Sequence, residues 1–427
     1  MFKIVELFSG DFEEKVFIHS ENLKAILIPK ESASRPVENP RDVVEKMLNM
    51  PVDSKSLELL LSEDSRVSIV VDDATRQTPT KFILKILLKK LEKIRVKKKN
   101  IVMQIANGLH RLTTLEEKKK IFGMEILEKF EVHDNDTKND QYQYFGETSK
   151  GTPLFFNKRV TSADLIVTIG MIKSHSFAGF TGGAKSILQG ISNEKTVLSN
   201  HRFEFIEYPN GILGDAEKSM VRQDMEEAAK KLPVFIINVV LNDKNQIIDV
   251  VAGDVIGAHR KGVEAFKKMA EVFLKEPMDL VVVEGGYPGS INFYQALFGC
   301  NVVLTTPKPV LKENGIIILF AQCKEGMGSD IIEELFTTYR DPKKVLKYLK
   351  ASSPLPEQWA AQFLASFLLR ARLIVITSNT LLKDKLKNFG ITCFNSTQEA
   401  IDNFIAENEK INVAVIKNPD FLIPNLE

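Results

Sequence analysis

The feature that most constrains this chain is a unit repeated along its first half: a short apolar run that stops abruptly, a polar loop, and then a helical stretch. Val67–Val71 runs into Asp72-Asp73-Ala74-Thr75-Arg76, and Ile101–Ile105 into Asn107-Gly108-Leu109-His110-Arg111. Leu165–Ile169 opens at Gly170 onto a long glycine-rich stretch that ends at His201. Uninterrupted apolar runs of this length suit strands buried on both faces of a parallel sheet. The intervening segments carry helix signals. Pro79 fits a first helical turn, and Thr114 with Glu117 has capping-box spacing. Open sheets of this kind bind ligands beyond the carboxyl ends of their strands. The pattern predicts an α/β protein with mostly parallel sheets. It also places Asp73, Arg76, His110, His175, Lys185 and His201 where one shared site would form.

At 427 residues the chain has room for two or three domains. Composition changes near Glu276–Pro277, and a second α/β unit begins at Leu280–Val283, with Ile316–Ala321 and Leu373–Thr377 as further buried strands. The expected division is residues 1–270, carrying the catalytic and cofactor-tethering groups, and 271–427, closing over the site from across an interdomain cleft. Residues 1–30 read as a hairpin-like opening, while Pro40–Leu61 and 256–276 read as helices; Val413–Ile416 fits either sheet. A net charge of +1 gives no reason to expect nucleic acid or an anionic membrane as partner. Three scattered cysteines argue against a disulfide framework or a thiolate metal site. The amino terminus is acidic early and lacks the apolar core of a secretory signal, and no run approaches a membrane span. A cytoplasmic protein is expected.

The chemistry concentrates in Gly170–His201, GMIKSHSFAGFTGGAKSILQGISNEKTVLSNH. Gly182 and Gly183 precede Lys185, but Ala184 intervenes, so the full phosphate-loop pattern is absent. Spacing alone leaves two readings open, a functional loop or a glycine-rich turn into an ordinary helix. A lysine beside such a turn can reach a phosphate or bond covalently to a cofactor, and nearby imidazoles can serve as metal ligand and general base. Asn193 to Phe205 reads as a helix holding His201, capped by Ser192 or Asn193. Arg76 is either a surface cation or a bidentate carboxylate binder. His19, His133 and His259 lack a comparable loop context and receive no role. Tyr294 and Trp359 are packing residues by default. His110, His175 and His201 are enough imidazoles for a three-histidine zinc site, although their spacing matches no compact zinc motif.

Several motifs act together: DDATRQTP at 72–79, NGLHR at 107–111, SHSFAGFTGGAKS at 174–186, His201, GGYPGSINFYQ at 285–295 and PEQW at 356–359. On these motifs, and over essentially its full length, the chain resembles the nickel-dependent lactate racemase family. Those 2-hydroxyacid racemases and epimerases carry a nickel-pincer nucleotide, a pyridinium-3-thioamide-5-thiocarboxylic acid mononucleotide. The resemblance implies that Lys185 forms the thioamide link, with Gly182, Gly183 and Asp73 beside the cofactor. It implies that His201 is the protein ligand to nickel, completing a four-ligand set that suits square-planar Ni(II). His110 and His175 become the two bases, one for each face of the substrate, and Arg76, Tyr294, Gln295 and Trp359 the substrate-binding residues. Hydride passes to the cofactor and returns, inverting C2, which avoids proton removal from a very weak C–H acid. The small-molecule substrate is a 2-hydroxyacid or sugar acid, and the cofactor's biosynthetic proteins become implied partners. Three positions depart from the family pattern. Phe298 stands where a carboxylate-holding lysine is expected, which argues against plain lactate, and Gln189 and Leu112 stand where proline is common. Lactate racemase proper remains an alternative. The rival readings are a three-histidine metal-dependent lyase and a non-catalytic binding protein on the same scaffold.

Overall fold

A computed structural model describes residues 1–207, 212–286, 289–407 and 410–427. Tyr287 and Pro288, within one of the motifs above, lie outside the described residues. Two six-stranded sheets dominate. In the first, the spatial order is Ile247–Asp254, Val234–Leu241, Leu165–Ile172, Val67–Asp72, Ile101–Ala106, Val132–Asp134. Every pairing is parallel except that of Ile247–Asp254 with Val234–Leu241. The chain builds outward from Val67–Asp72 on one side and then returns to its other side with Leu165–Ile172. That reversal opens a crevice between these two strands at their carboxyl ends. The three apolar runs read from sequence are the three central strands here, and Asp72, Asp73 and Gly170 lie at the crevice.

The second sheet runs Thr392–Phe394, Arg372–Ile376, Leu311–Phe320, Met278–Glu284, Val413–Ile416, Leu23–Leu27. All of its pairings are parallel. Val413–Ile416 therefore joins this sheet. So does Leu23–Leu27, and the hairpin Phe2–Ser9/Phe12–His19 packs its Val5, Leu7, Val16 and Ile18 against Leu280, Val282, Ile316 and Ile318. The amino-terminal segment that the 1–270 unit was expected to include thus pairs with strands of 271–427. An edge strand carries no sequence mark of its partner, and this partner lies near the other end of the chain.

Two expected helices are shorter than read. The first ends at Asn49, before Pro51, and resumes only as Leu57–Leu60. The helix from Gly257 ends at Ala270, and Glu271–Leu274, with its valine and phenylalanine, becomes a strand paired with Ile423–Leu426. Other local signals hold. Thr114 and Glu117 form a reciprocal capping box, and the lysine-rich run becomes helix Thr80–Lys93 with Ile83, Leu84, Ile86, Leu87 and Leu91 buried.

Both faces of each sheet are covered, which explains the unbroken apolar runs. Val67, Ile69 and Val71 face one cluster while Val70 faces another. That second cluster includes Phe177, Ile187 and Phe203 from the first unit with Leu297, Phe363 and Leu364 from the second. The site loops therefore rest on a core shared by both units. No helix among the described residues is long and apolar enough to cross a membrane.

Candidate active site

Two adjacent carboxylates end the strand Val67–Asp72 and do different work. Asp72 reaches back into the sheet: its Oδ2 accepts from Thr78 Oγ1 at 2.7 Å and from the Met171 N–H at 3.2 Å, and burial raises its pKa. Asp73 faces the next loop. Its Oδ1 accepts from the Thr75 N–H at 3.1 Å and from Thr75 Oγ1 at 2.5 Å, and its Oδ2 lies 2.6 Å from His110 Nδ1. Burial alone would raise the Asp73 pKa. The His110 hydrogen bond, the His110 and Arg76 charges and the Thr75 hydroxyl outweigh it and bring it to about 2. A carboxylate on Nδ1 fixes the ring tautomer and leaves Nε2 with the lone pair. The His110 side chain is 53% exposed.

The third loop supplies the other groups. Ser174–His175 pairs with Gly179–Phe180 as a minimal hairpin, and Lys185 starts a short helix, Lys185–Leu188. His175 Nδ1 accepts from the Ala178 N–H at 3.3 Å, and the ring meets Phe177 edge-on at 4.6 Å. Burial, then the Lys185, Arg76 and Arg222 charges, holds His175 well below the ordinary histidine pKa, so the ring is neutral. Burial, then Arg76 and Arg222, brings the Lys185 amine down to about 7 against the opposing pull of Asp72 and Asp73. Lys185 makes no ion pair among the described residues, and neither does Arg76. Arg76 is central electrostatically, since its charge acts on Asp72, Asp73, His175, Lys185 and Tyr294 alike. The glycine pair is sterically required. Gly182 and Gly183 have φ of +73° and +59°, and added Cβ atoms would sit 2.7 Å from Asn238 Oδ1 and 2.8 Å from the His259 ring.

His201 does not lie inside a helix as expected. The helix Glu194–Asn200 is capped by Asn193, and His201 sits at its carboxyl end, where Arg202 turns extended. The ring is buried, and burial with the Lys185 charge lowers its pKa to about 3. The Gln189 amide is set against His201 Nε2, while Nδ1 is buried with no hydrogen-bond partner. Phe177 and Trp359 meet the ring edge-on at 5.0 and 5.2 Å. Among the described residues, no three His, Cys, Asp or Glu side chains are gathered to hold a metal ion. The three histidines thus do not form a zinc cage: each ring is engaged by its own neighbour.

The second unit forms the facing wall. Asn292 caps the helix Phe293–Leu304, and Tyr294 Oη accepts from Trp359 Nε1 at 3.1 Å, with burial raising the Tyr294 pKa to about 12. Gln358 Nε2 donates to the His201 carbonyl at 3.1 Å, and Gln362 Nε2 to that of Phe203 at 3.0 Å. Lys173, one residue past the strand Leu165–Ile172, pairs with Asp420 at 2.6 Å and lies 5.9 Å over the Phe298 ring. Gln295 is exposed; its backbone N–H is used for the helix cap, and its side chain engages nothing among the described residues.

Comparison with known proteins identifies the family. A family model for the lactate racemase N-terminal domain matches residues 10–214, and one for the lactate racemase C-terminal domain matches residues 274–420. The chain belongs to the lactate racemase family. A lactate racemase of Thermoanaerobacterium thermosaccharolyticum is 34% identical over 92% of this chain and 93% of its own length. One of Lactiplantibacillus plantarum is 32% identical over 95% of each. The solved lactate racemase apoprotein from T. thermosaccharolyticum superposes with a TM-score of 0.90 at 31% identity, covering 100% of both chains. A Thermotoga maritima protein of known structure shares the fold, with a TM-score of 0.70 at 18% identity over 94% of this chain. Membership in the lactate racemase family places the chain among the racemases, a class of isomerases.

Several residues around this lactate racemase-family site carried no sequence signal. Gln358 lies within PEQW and Gln189 within the glycine-rich stretch, but neither carries a sequence mark of its contact with His201. His259, given no role, donates from Nε2 to the Thr181 carbonyl at 2.9 Å, and Arg222 lies in a helix without any motif. Only their three-dimensional partners reveal them.

Proposed function

We propose that this protein inverts the C2 stereocentre of a 2-hydroxyacid, using a nickel-pincer nucleotide tethered at Lys185. The observation that carries this reading is the convergence, around Arg76, of two differently held imidazoles and a lysine amine with no ion pair. The residues suit the cofactor. Lys185, with a pKa of about 7, offers a neutral amine for a thioamide, and buried His201, whose Nδ1 has no hydrogen-bond partner, offers an imidazole nitrogen that a nickel ion would take in its unprotonated form. When bound, the nucleotide would supply the hydride acceptor that spares the enzyme a carbanion.

The chain's own groups then have distinct tasks. Arg76 pairs with the substrate carboxylate and orients C2. His110 Nε2 accepts the hydroxyl proton from a substrate presented on its side, and Asp73 stabilises the imidazolium that results. His175 accepts the hydroxyl proton of the opposite enantiomer without a carboxylate behind it; for this its ring takes the tautomer with a free Nε2, giving up the 3.3 Å bond that Nδ1 accepts from the Ala178 N–H. Tyr294 and Trp359, joined by their hydrogen bond, cover the site and exclude water.

Phe298 sets the substrate preference. It brings an apolar ring to the cleft wall, and the nearest ammonium above it, Lys173, is already committed to Asp420. A substrate larger or more apolar than lactate fits that wall better. The test is a panel of lactate, aromatic 2-hydroxyacids and aldonates with nucleotide-loaded enzyme, following loss of optical rotation. Turnover of a larger acid above lactate is expected. Preference for lactate would make this a lactate racemase proper, and no turnover of any member would overturn the racemase reading.

A further inference from the structure

The loop joining His175 to Lys185 is held by its carbonyls. Ser219 Oγ donates to the Phe177 carbonyl at 2.5 Å, the Gly214 N–H to that of Gly179 at 3.1 Å, and His259 to that of Thr181. The remaining three belong to one side chain. Arg222 donates from Nε to the Ala178 carbonyl at 3.1 Å, from Nη1 to that of Gly182 at 3.0 Å, and from Nη2 to that of Phe180. Every carbonyl from Phe177 to Gly182 is thereby engaged. Asn238 Oδ1 then accepts from the Gly183 N–H at 2.8 Å.

Arg222 is wholly buried, and a buried cation is ordinarily paired with a carboxylate. Here the nearest acid, Glu226, is spent on Arg260 through bonds of 2.8 and 3.0 Å. The guanidinium is balanced instead by the dipoles of the loop. Only its planar, multi-donor fork can span three carbonyls at once; a lysine would reach one or two.

We propose that Arg222 is a positioning residue: by fixing the carbonyls of Ala178, Phe180 and Gly182 it sets the turn that presents His175 on one side and Lys185 on the other. The loop is in this way shaped before any cofactor arrives, and tethering need not first order it. Its charge also helps keep Lys185 and His175 unprotonated.

Hydrogen–deuterium exchange on the full chain without nucleotide tests this independently of the racemase reading. In Arg222→Lys, peptides within 174–188 are expected to exchange about tenfold faster or more, while Val234–Leu241 keeps its protection. In the loaded enzyme the same variant should lower kcat with KM unchanged, since Arg76 is untouched. Unaltered exchange in 174–188 would overturn the proposal. Equal loosening throughout Val234–Leu241 would also overturn it, by making Arg222 a general stabiliser of the fold. Should Arg222→Lys not fold, Ser219→Ala removes both the donor to Phe177 and the cap of the Arg222 helix; a smaller acceleration within 174–188 that leaves Val234–Leu241 protected supports the template, and none within 174–188 contradicts it.

Discussion

The two walls of the cleft are built differently. On the first-unit side, the loop from His175 to Lys185 is bonded at every carbonyl from Phe177 to Gly182, and its ionisable groups are driven far from their ordinary behaviour. On the second-unit side, a few bonds cross to the partner: Gln358 to the His201 carbonyl, Gln362 to that of Phe203, and Lys173 to Asp420. The first wall is polar and heavily hydrogen-bonded, as the proposed attachment and proton transfer would require. The second is largely aromatic and meets the first mainly by side-chain packing, as would suit the proposed role of selecting and covering the substrate. The difference suggests that reaction class is fixed by one unit and substrate by the other.

Substitutions on the two walls should then fail in different ways. The largest effect belongs to Lys185→Ala, which should abolish both cofactor attachment and turnover; an adduct persisting on that variant, seen by intact mass, would refute the tethering role. Next, His110→Ala and His175→Ala should each lower kcat by roughly 10²–10⁴-fold with the nucleotide retained, as loss of a general base does. Wild-type turnover in either removes that residue as a base.

Asp73→Asn should follow, lowering kcat about 10–100-fold, the usual scale for losing a partner that orients a ring. It also has a stability signature. Because its folded pKa of about 2 lies below the ordinary carboxylate value, Asp73 contributes stability that is fully present above about pH 4 and is lost as pH falls through 2. The shift corresponds to about 2 kcal/mol. Acid unfolding curves of wild type and Asp73→Asn should therefore converge below pH 2; a constant gap would show that the pair with His110 does not depress this carboxyl.

On the second wall the effects should be smaller and bear on selection. Phe298→Ala should change the ratio of kcat/KM between an aromatic 2-hydroxyacid and lactate by about tenfold, the scale of a pocket contact, and an unchanged ratio would remove Phe298 as a determinant. Trp359→Phe loses the bond to Tyr294 Oη, worth about 1 kcal/mol, and trims the ring that meets His201 and Phe177. A KM increase of a few fold at nearly constant kcat is expected there. A collapse of kcat would move Trp359 into the reaction itself.

The first wall was the more legible from sequence. Three apolar strands, each with polar residues at its carboxyl end, mark out both the sheet and the crevice, because period and composition encode burial locally. The Thr114–Glu117 cap is legible for the same reason. The strand near Ile26 was legible but the sheet it joins was not, since its partner Val413–Ile416 lies at the other end of the chain. Nor was the break that puts His201 at the end of its helix, which depends on Arg202 turning extended beneath the second unit. Arg222 and His259 look like ordinary helix residues in sequence; their roles come from carbonyls that fold back onto them. Gln295, by contrast, carried a motif signal, yet its side chain is exposed and engages nothing among the described residues.

The central claim is that Lys185 tethers a nickel-bearing nucleotide. Intact-mass measurement with nickel quantification, on protein produced together with the cofactor-synthesis proteins, tests it most directly. A nucleotide-sized adduct mapping to Lys185, accompanied by nickel that falls away in His201→Ala while the adduct remains, is the expected result. An unmodified, nickel-free chain, under conditions that load another member of the lactate racemase family, would contradict it.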